Sequence, residues 1–155
     1  MKIIDARNLA LDLIAEHLDD DWTFQFDNAK QRFGQCRPLQ KVISMSAPLT
    51  RLNSEEEVRH TILHEIAHAQ TPLTCKSHGP EWAARCRALG ITSDACFDSN
   101  RTAMPKPEWV GTCPTCGDTI KRYRLTKKAT GGACSLCCRG KYNLTHKLIW
   151  HKVDA

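Results

Sequence analysis

The sequence predicts an α+β protein, with helices around a small sheet, followed by a separate β-rich module. Three observations carry that expectation. Segments with apolar residues at helical spacing (6–18, 54–71 and 80–89) alternate with short runs rich in strand formers (22–26 and 41–46). One of those helices contains His64-Glu65-Ile66-Ala67-His68. Towards the end of the chain two Cys-x-x-Cys pairs, Cys113/Cys116 and Cys134/Cys137, are separated by seventeen residues, the spacing of a four-thiolate structural zinc site.

The first helix, residues 6–18, places Leu9, Leu13, Ile14 and Leu18 on one stripe. Asp19-Asp20-Asp21 is an acidic break, read as a solvated loop, and Trp22-Thr23-Phe24-Gln25-Phe26 alternates apolar and polar residues as a half-buried strand does. Residues 27–40 read as a polar connection carrying Lys30, Arg32 and Arg37. Lys41 to Ser46 reads as a second strand with Val42 and Ile43 in the core, closed by Ser46-Ala47-Pro48.

Ser54-Glu55-Glu56-Glu57 is a capping box, with Ser54 at the N-cap and Glu57 at the third helical position. Val58, Ile62 and Ala69, flanked by Leu63 and Ile66, give the following helix its buried side, and Pro72 ends it. Residues four apart lie one turn above each other on a helix, so His64 and His68 project from one face at a spacing suited to a single metal ion. Glu65 falls beside them, within reach of a metal-activated water without being a ligand, which is the arrangement of a zinc hydrolase with a carboxylate as general base. Catalytic zinc takes three protein ligands. His78 is the candidate for the third, just before Gly79-Pro80-Glu81-Trp82, where Pro80 suits the first turn of a new helix; Glu81 and Cys75 are rivals for that role. The helix from Pro80 to Leu89 turns Trp82, Ala83, Cys86 and Leu89 inward and stops at Gly90. Periodicity fades from Thr92, and Met104-Pro105-Lys106-Pro107 closes a linker over 92–109. The expected domains are therefore 1–109 and 110–155.

In the second domain Cys113, Cys116, Cys134 and Cys137 are the expected zinc ligands, with Cys138 a rival for the fourth place because it stands where the knuckle glycine would be. Residues 120–125 and 142–150 read as strands. Charge divides at the same boundary: residues 1–109 carry 13 Lys and Arg against 15 Asp and Glu, whereas residues 110–155 carry 9 against 2. Lys121, Arg122, Arg124, Lys127, Lys128, Arg139 and Lys141 make a basic surface with Tyr123, Tyr142 and Trp150 interspersed for base stacking, and this suits DNA, single-stranded or duplex.

A chain of 155 residues can hold one ordinary core, or a core plus a small metal-stapled module. No run approaches the roughly 18 apolar residues of a membrane span, and Met1-Lys2-Ile3-Ile4-Asp5 lacks the apolar stretch of a signal peptide. A cytoplasmic monomer without a membrane partner is expected, nuclear for a eukaryotic source and in the host cytoplasm for a viral one. In a reducing compartment nine cysteines point to metal binding rather than disulfides, with Cys36, Cys75, Cys86 and Cys96 as scattered ordinary thiols.

His64-Glu65-Ile66-Ala67-His68-Ala69, then His78-Gly79-Pro80-Glu81-Trp82 opening a helix, resembles the SprT-like metallopeptidases. The run from Arg32-Phe33-Gly34-Gln35-Cys36 to Ser46 is similar to that family's strand before the active-site helix, and the resemblance extends over roughly residues 5–150, terminal zinc ribbon included. It implies a zincin-like domain, zinc at a catalytic and a structural site, proteolysis, and protein substrates bound or crosslinked to DNA. Two other functions fit the same residues. One is a DNA-binding adaptor whose metals are both structural; an intact Glu65 argues against it. The other is a zinc hydrolase of a non-peptide amide, which would share the same groups around the metal.

Overall fold

The computed structural model describes residues 1–93 and 102–153. Residues 94–101, the middle of the expected linker, and Cys96 among them, lie outside the described residues. The chain divides into two compact units, Met1–Pro105 and Lys106–Ala155.

The first unit opens with α1 (Ile3–His17), which starts three residues earlier than its apolar stripe suggests and buries Ala6, Ala10, Leu13 and Ile14. Leu9 and Leu18 are only partly buried at the edge of the core. The small Ala6 and Ala10 allow α1 to pack closely on the metal-motif helix α3 (Glu55–Gln70). Strands β1 (Thr23–Asp27), β2 (Gly34–Arg37) and β3 (Val42–Ser46) form a sheet in the order β1-β3-β2. Strand β1 runs parallel to β3 with Phe24 opposite Ile43, and β2 runs antiparallel to β3 with Cys36 opposite Ile43. Ile43 and Met45 are the residues of β3 that enter the core; Val42, expected there, is half-buried.

Two elements depart from the sequence reading. The polar connection 27–40 contains β2 and a 3₁₀ turn at Pro38–Gln40. All four residues of β2 are half-buried, as suits an edge strand, so the apolar alternation that marks a two-faced strand is missing. Ser46-Ala47-Pro48 does not simply close β3. Ser46 Oγ accepts the Leu49 N–H at 3.1 Å and caps a short helix, α2 (Ala47–Leu52), with Pro48 in its first turn.

Helix α3 begins as its capping sequence requires: Ser54 Oγ accepts the Glu57 N–H at 3.3 Å. It buries Val58, Ile62, Leu63, Ile66 and Ala67, while Ala69 is half exposed. Fully burying an aliphatic side chain of this size contributes about 1.5–3 kcal/mol, so Val58, Ile62 and Ile66, all at 0% exposure, fix this helix against the sheet. Helix α4 (Pro80–Ala88) follows, with Trp82 and Cys86 buried and Gly90 in the left-handed region at φ 72° after its end.

The second unit has a three-stranded antiparallel sheet ordered β5-β4-β6, built from β4 (Trp109–Thr112), β5 (Thr119–Arg122) and β6 (Ile149–Lys152). The expected strand over 142–150 is confined to its end. Residues Leu144–His146 form a 3₁₀ turn because the His146 carbonyl accepts the Cys134 N–H and Ala133 pairs with Lys147, holding this stretch against the second knuckle. The only buried members of this unit's core among the described residues are Cys113, Cys134 and Leu148, with Ile120, Cys137 and Trp150 packed around them. So little hydrocarbon is a thin core for a module of this size, and such small units commonly rely on a metal, disulfides or oligomerisation as well. Among the described residues no helix is long and apolar enough to cross a membrane.

Candidate functional site

Helix α3 supplies two imidazoles one turn apart, and the loop after it supplies the third. His78 takes a left-handed backbone at φ 55°, directly before Gly79 and the start of α4, which turns its side chain back over α3. Its Nε2 lies 2.9 Å from Nε2 of His68 and 3.4 Å from Nε2 of His64. Four ligands at the usual 2.0–2.1 Å zinc–nitrogen distance stand about 3.3–3.4 Å apart in a tetrahedron, so the three nitrogens fit three corners around one small cation. His64, His68 and His78 form a group able to hold a metal ion, and neither Cys75 nor Glu81 joins it. Burial, then the neighbouring histidines His68, His78 and His60, pushes His64 down to about 3; burial and His78 push His68 down to about 4. Both imidazoles are therefore neutral near pH 7 and keep a lone pair for a metal. The indole of Trp82 backs all three rings, with centroids 4.9, 5.3 and 4.5 Å from His64, His68 and His78.

Glu65 faces the opposite wall. Its side chain is buried at 7% exposure and lines, with the three histidines, a cleft of about 520 Å³ between α3 and β2. Burial pushes the Glu65 carboxyl up to about 7, against the lowering effects of the Cys36 backbone N–H and the Arg32 charge. The strand comes so close that a Cβ on Gly34 would lie 2.7 Å from Glu65 Oε1, 2.8 Å from its Cγ and 2.9 Å from Thr61 Cγ2.

The SprT-like family model matches residues 8–102. The chain belongs to the SprT-like family. This is a zinc-metallopeptidase-type family, and in this SprT-like chain the match contains the whole histidine cluster, Glu65 and the β2 wall. Comparison with curated proteins and with solved structures returns no match.

The four cysteines of this SprT-like protein lie beyond the matched residues and form a second group able to hold a metal. Cys113 Sγ is 3.9 Å from Cys137 Sγ, and Cys116 Sγ is 3.7 Å from Cys134 Sγ. Thiolates at 2.3 Å from a tetrahedral zinc stand about 3.8 Å apart, so the set fits zinc. The backbone N–H of Cys116, followed by that of Thr115, pulls the Cys113 thiol down to about 6 against burial. Gly117 takes a left-handed turn after the first knuckle at φ 73°. In the second knuckle the helix α5 (Ser135–Cys138) carries the chain one residue farther, so Arg139 and Gly140 take the positive φ values and Cys138 Sγ turns 4.0 Å from the Asn143 carbonyl, outside the four-sulfur group.

Lys121, Arg122, Arg124, Lys127, Lys128, Arg139 and Lys141 are all exposed. Of the three aromatics among them, Tyr142 is exposed and Tyr123 is half-buried. Trp150 is engaged: its indole N–H donates to the Ala129 carbonyl at 3.2 Å, and its ring lies where a Cβ on Gly111 would meet it at 2.9 Å.

The composition of residues 27–40 read as a polar connection, although the family resemblance already likened Arg32–Ser46 to a strand before the active-site helix. What the sequence did not reveal is how closely this strand approaches Glu65 at Gly34. The local signal was an isolated glycine in a polar run, which marks close backbone approach when the run is a strand.

Proposed function

We propose that this SprT-like chain is a zinc-dependent endopeptidase acting on proteins that are bound or crosslinked to DNA. The observation that carries the reading is the cleft itself, in which a buried carboxylate stands opposite three converging imidazole nitrogens. His64, His68 and His78 would hold the catalytic ion, and Cys113, Cys116, Cys134 and Cys137 a structural one. A zinc ion bound by the histidines lowers the pKa of a water molecule and polarises a carbonyl. Glu65 takes the proton of the attacking water and passes it to the leaving amine. Its burial, which raises the affinity of the carboxylate for a proton, makes it a stronger base than an exposed glutamate. Gly34 leaves room for that carboxylate, and the Cys36 N–H favours its charged form.

The basic second unit supports the DNA part of the reading. Four thiolates and one zinc ion leave its surface positive, with seven exposed cations between Lys121 and Lys141. Phosphate contacts release counterions, so affinity should fall with salt by a log–log slope of about −0.7 per contact on single strands and about −0.9 on duplex.

The test is hydrolysis of an unfolded protein by the zinc-loaded full chain, with and without DNA, alongside a small non-peptide amide. Cleavage of the protein, and a salt-dependent DNA affinity that Arg122→Glu with Lys128→Glu flattens, is the expected result. Cleavage of the amide alone would move the chain to the other hydrolase class, and DNA binding without any cleavage would make it an adaptor.

A further inference from the structure

We propose that Arg32 is a positioning residue for the Glu65 carboxylate, acting as a brace between the β1–β2 turn and the free edge of β2. The inference rests on the peptidase reading for its kinetic consequence and on the fold for its geometry.

The brace is anchored in the centre of the sheet. Asp27, the last residue of β1, accepts the Ala29 N–H on Oδ1 at 2.9 Å, and on Oδ2 accepts the Ser44 hydroxyl at 3.0 Å and Arg32 Nη2 at 2.8 Å. Ser44 is fully buried in β3, so this anchor cannot drift with the loop. The chain on either side of Arg32 is also fixed: the buried Ser46 hydroxyl donates to the Ala29 carbonyl, and the Ser46 N–H donates to the Phe33 carbonyl at 2.7 Å.

From that anchor the guanidinium reaches forward. Arg32 Nη1 donates to the Gly34 carbonyl at 3.4 Å. Among the described residues strand β2 has only β3 beside it in the sheet, so no ladder there holds its outer edge. The outer edge is nevertheless where precision is needed, because Gly34 lies directly against the Glu65 carboxylate and the Cys36 N–H favours its charged form. Arg32 also lines the cleft beside Glu65, and its charge opposes the upward effect of burial on that carboxyl. An Arg can serve both Asp27 and Gly34 because its donors form a rigid planar fork; a lysine ammonium is a single point and cannot span both in the same way.

The test uses the zinc-loaded full chain with Arg32→Gln, Arg32→Lys, Asp27→Asn and the double variant Asp27→Asn/Arg32→Gln. Zinc content, kcat and KM on a quenched-fluorescent peptide, and the crystal structure of Arg32→Gln are measured. A misplaced catalytic group costs about 10²-fold, so kcat should fall by about that factor while KM and zinc content stay near the unmodified values. Arg32→Lys should recover part of the loss, and the double variant should be no worse than Arg32→Gln, as expected for residues acting as one unit. In the crystal structure the Glu65 carboxylate should have left its position against Gly34. An unmoved carboxylate overturns the proposal, as does a loss confined to KM, which would make Arg32 a substrate contact instead. If the unmodified chain cleaves nothing, the peptidase reading falls, and the position of Glu65 in Arg32→Gln decides the brace by itself.

Discussion

Glycine 34 shows how far a single position can control the candidate site. It has no unusual backbone angle; what it lacks is a side chain, and the vacant volume is filled by Glu65 and Thr61. Gly34→Ala would place a methyl group inside van der Waals contact of three atoms at once. We expect the strand or the carboxylate to shift, with hydrolysis falling by about 10²-fold and zinc content unchanged, as measured by peptide turnover and elemental analysis. The histidines should behave differently, because the role proposed for them is to bind. His78→Ala should reduce zinc from two per chain to one after dialysis against a mild chelator, and the remaining ion should be lost only when Cys113 and Cys116 are also replaced. Retention of both ions by His78→Ala would mean that the ring convergence at 2.9 and 3.4 Å does not reflect ligation. This cluster was legible in the sequence because helical spacing is local: His64 and His68 share a face by geometry, and Pro80 announces the helix before which His78 stands. The roles of Gly34 and Arg32 were not, since Gly34 meets Glu65 through an approach of strand to helix that no periodicity encodes, and Arg32 touches that strand only through the Gly34 carbonyl.

At the scale of elements the same division holds. Helix α3 carries its own start signal in Ser54 and a continuous apolar side, so both its limits and its orientation could be read before the fold was known. Strand β2 carries neither. Its residues are half-buried throughout, and its existence depends on the register with β3 and on the turn that Asp27 organises. That turn has a pH signature. Burial acts to raise the Asp27 carboxyl, but the Ala29 N–H, Arg32 and the Ser44 hydroxyl outweigh it and hold the group below the usual carboxylate range. A pKa lowered by folding contributes stability that is present above the unfolded-state value and is lost as pH falls through the folded-state value. Asp27→Asn should therefore lower stability at neutral pH and make it less sensitive to acid below the usual carboxylate range, as denaturant melts at several pH values would record. An acid limb identical to that of the unmodified protein would mean that the Asp27–Arg32 pair does not stabilise the fold.

Over the whole molecule, the two units differ in what holds them. The first has an extended apolar core drawn from α1, α2, α3 and the sheet. The second has Leu148 and two thiols at its centre, so, if its four cysteines take the proposed ion, its folding would be coupled to that ion. That coupling would explain why its cysteines were readable from spacing while its strand limits were not: the knuckles, rather than apolar alternation, decide where β6 begins. The charge step between the halves of the sequence follows the same division, with the basic residues displayed on the four-cysteine unit. The central claim, however, concerns one carboxylate. The most direct test compares the unmodified chain with Glu65→Gln for zinc content and for hydrolysis of an unfolded protein in the same preparation. The account predicts two zinc ions per chain in both proteins, with hydrolysis reduced by about 10²- to 10⁴-fold in the variant, because the ligands remain and only the proton acceptor is gone. Equal hydrolysis by the two proteins, or loss of a zinc ion from the variant, would contradict it.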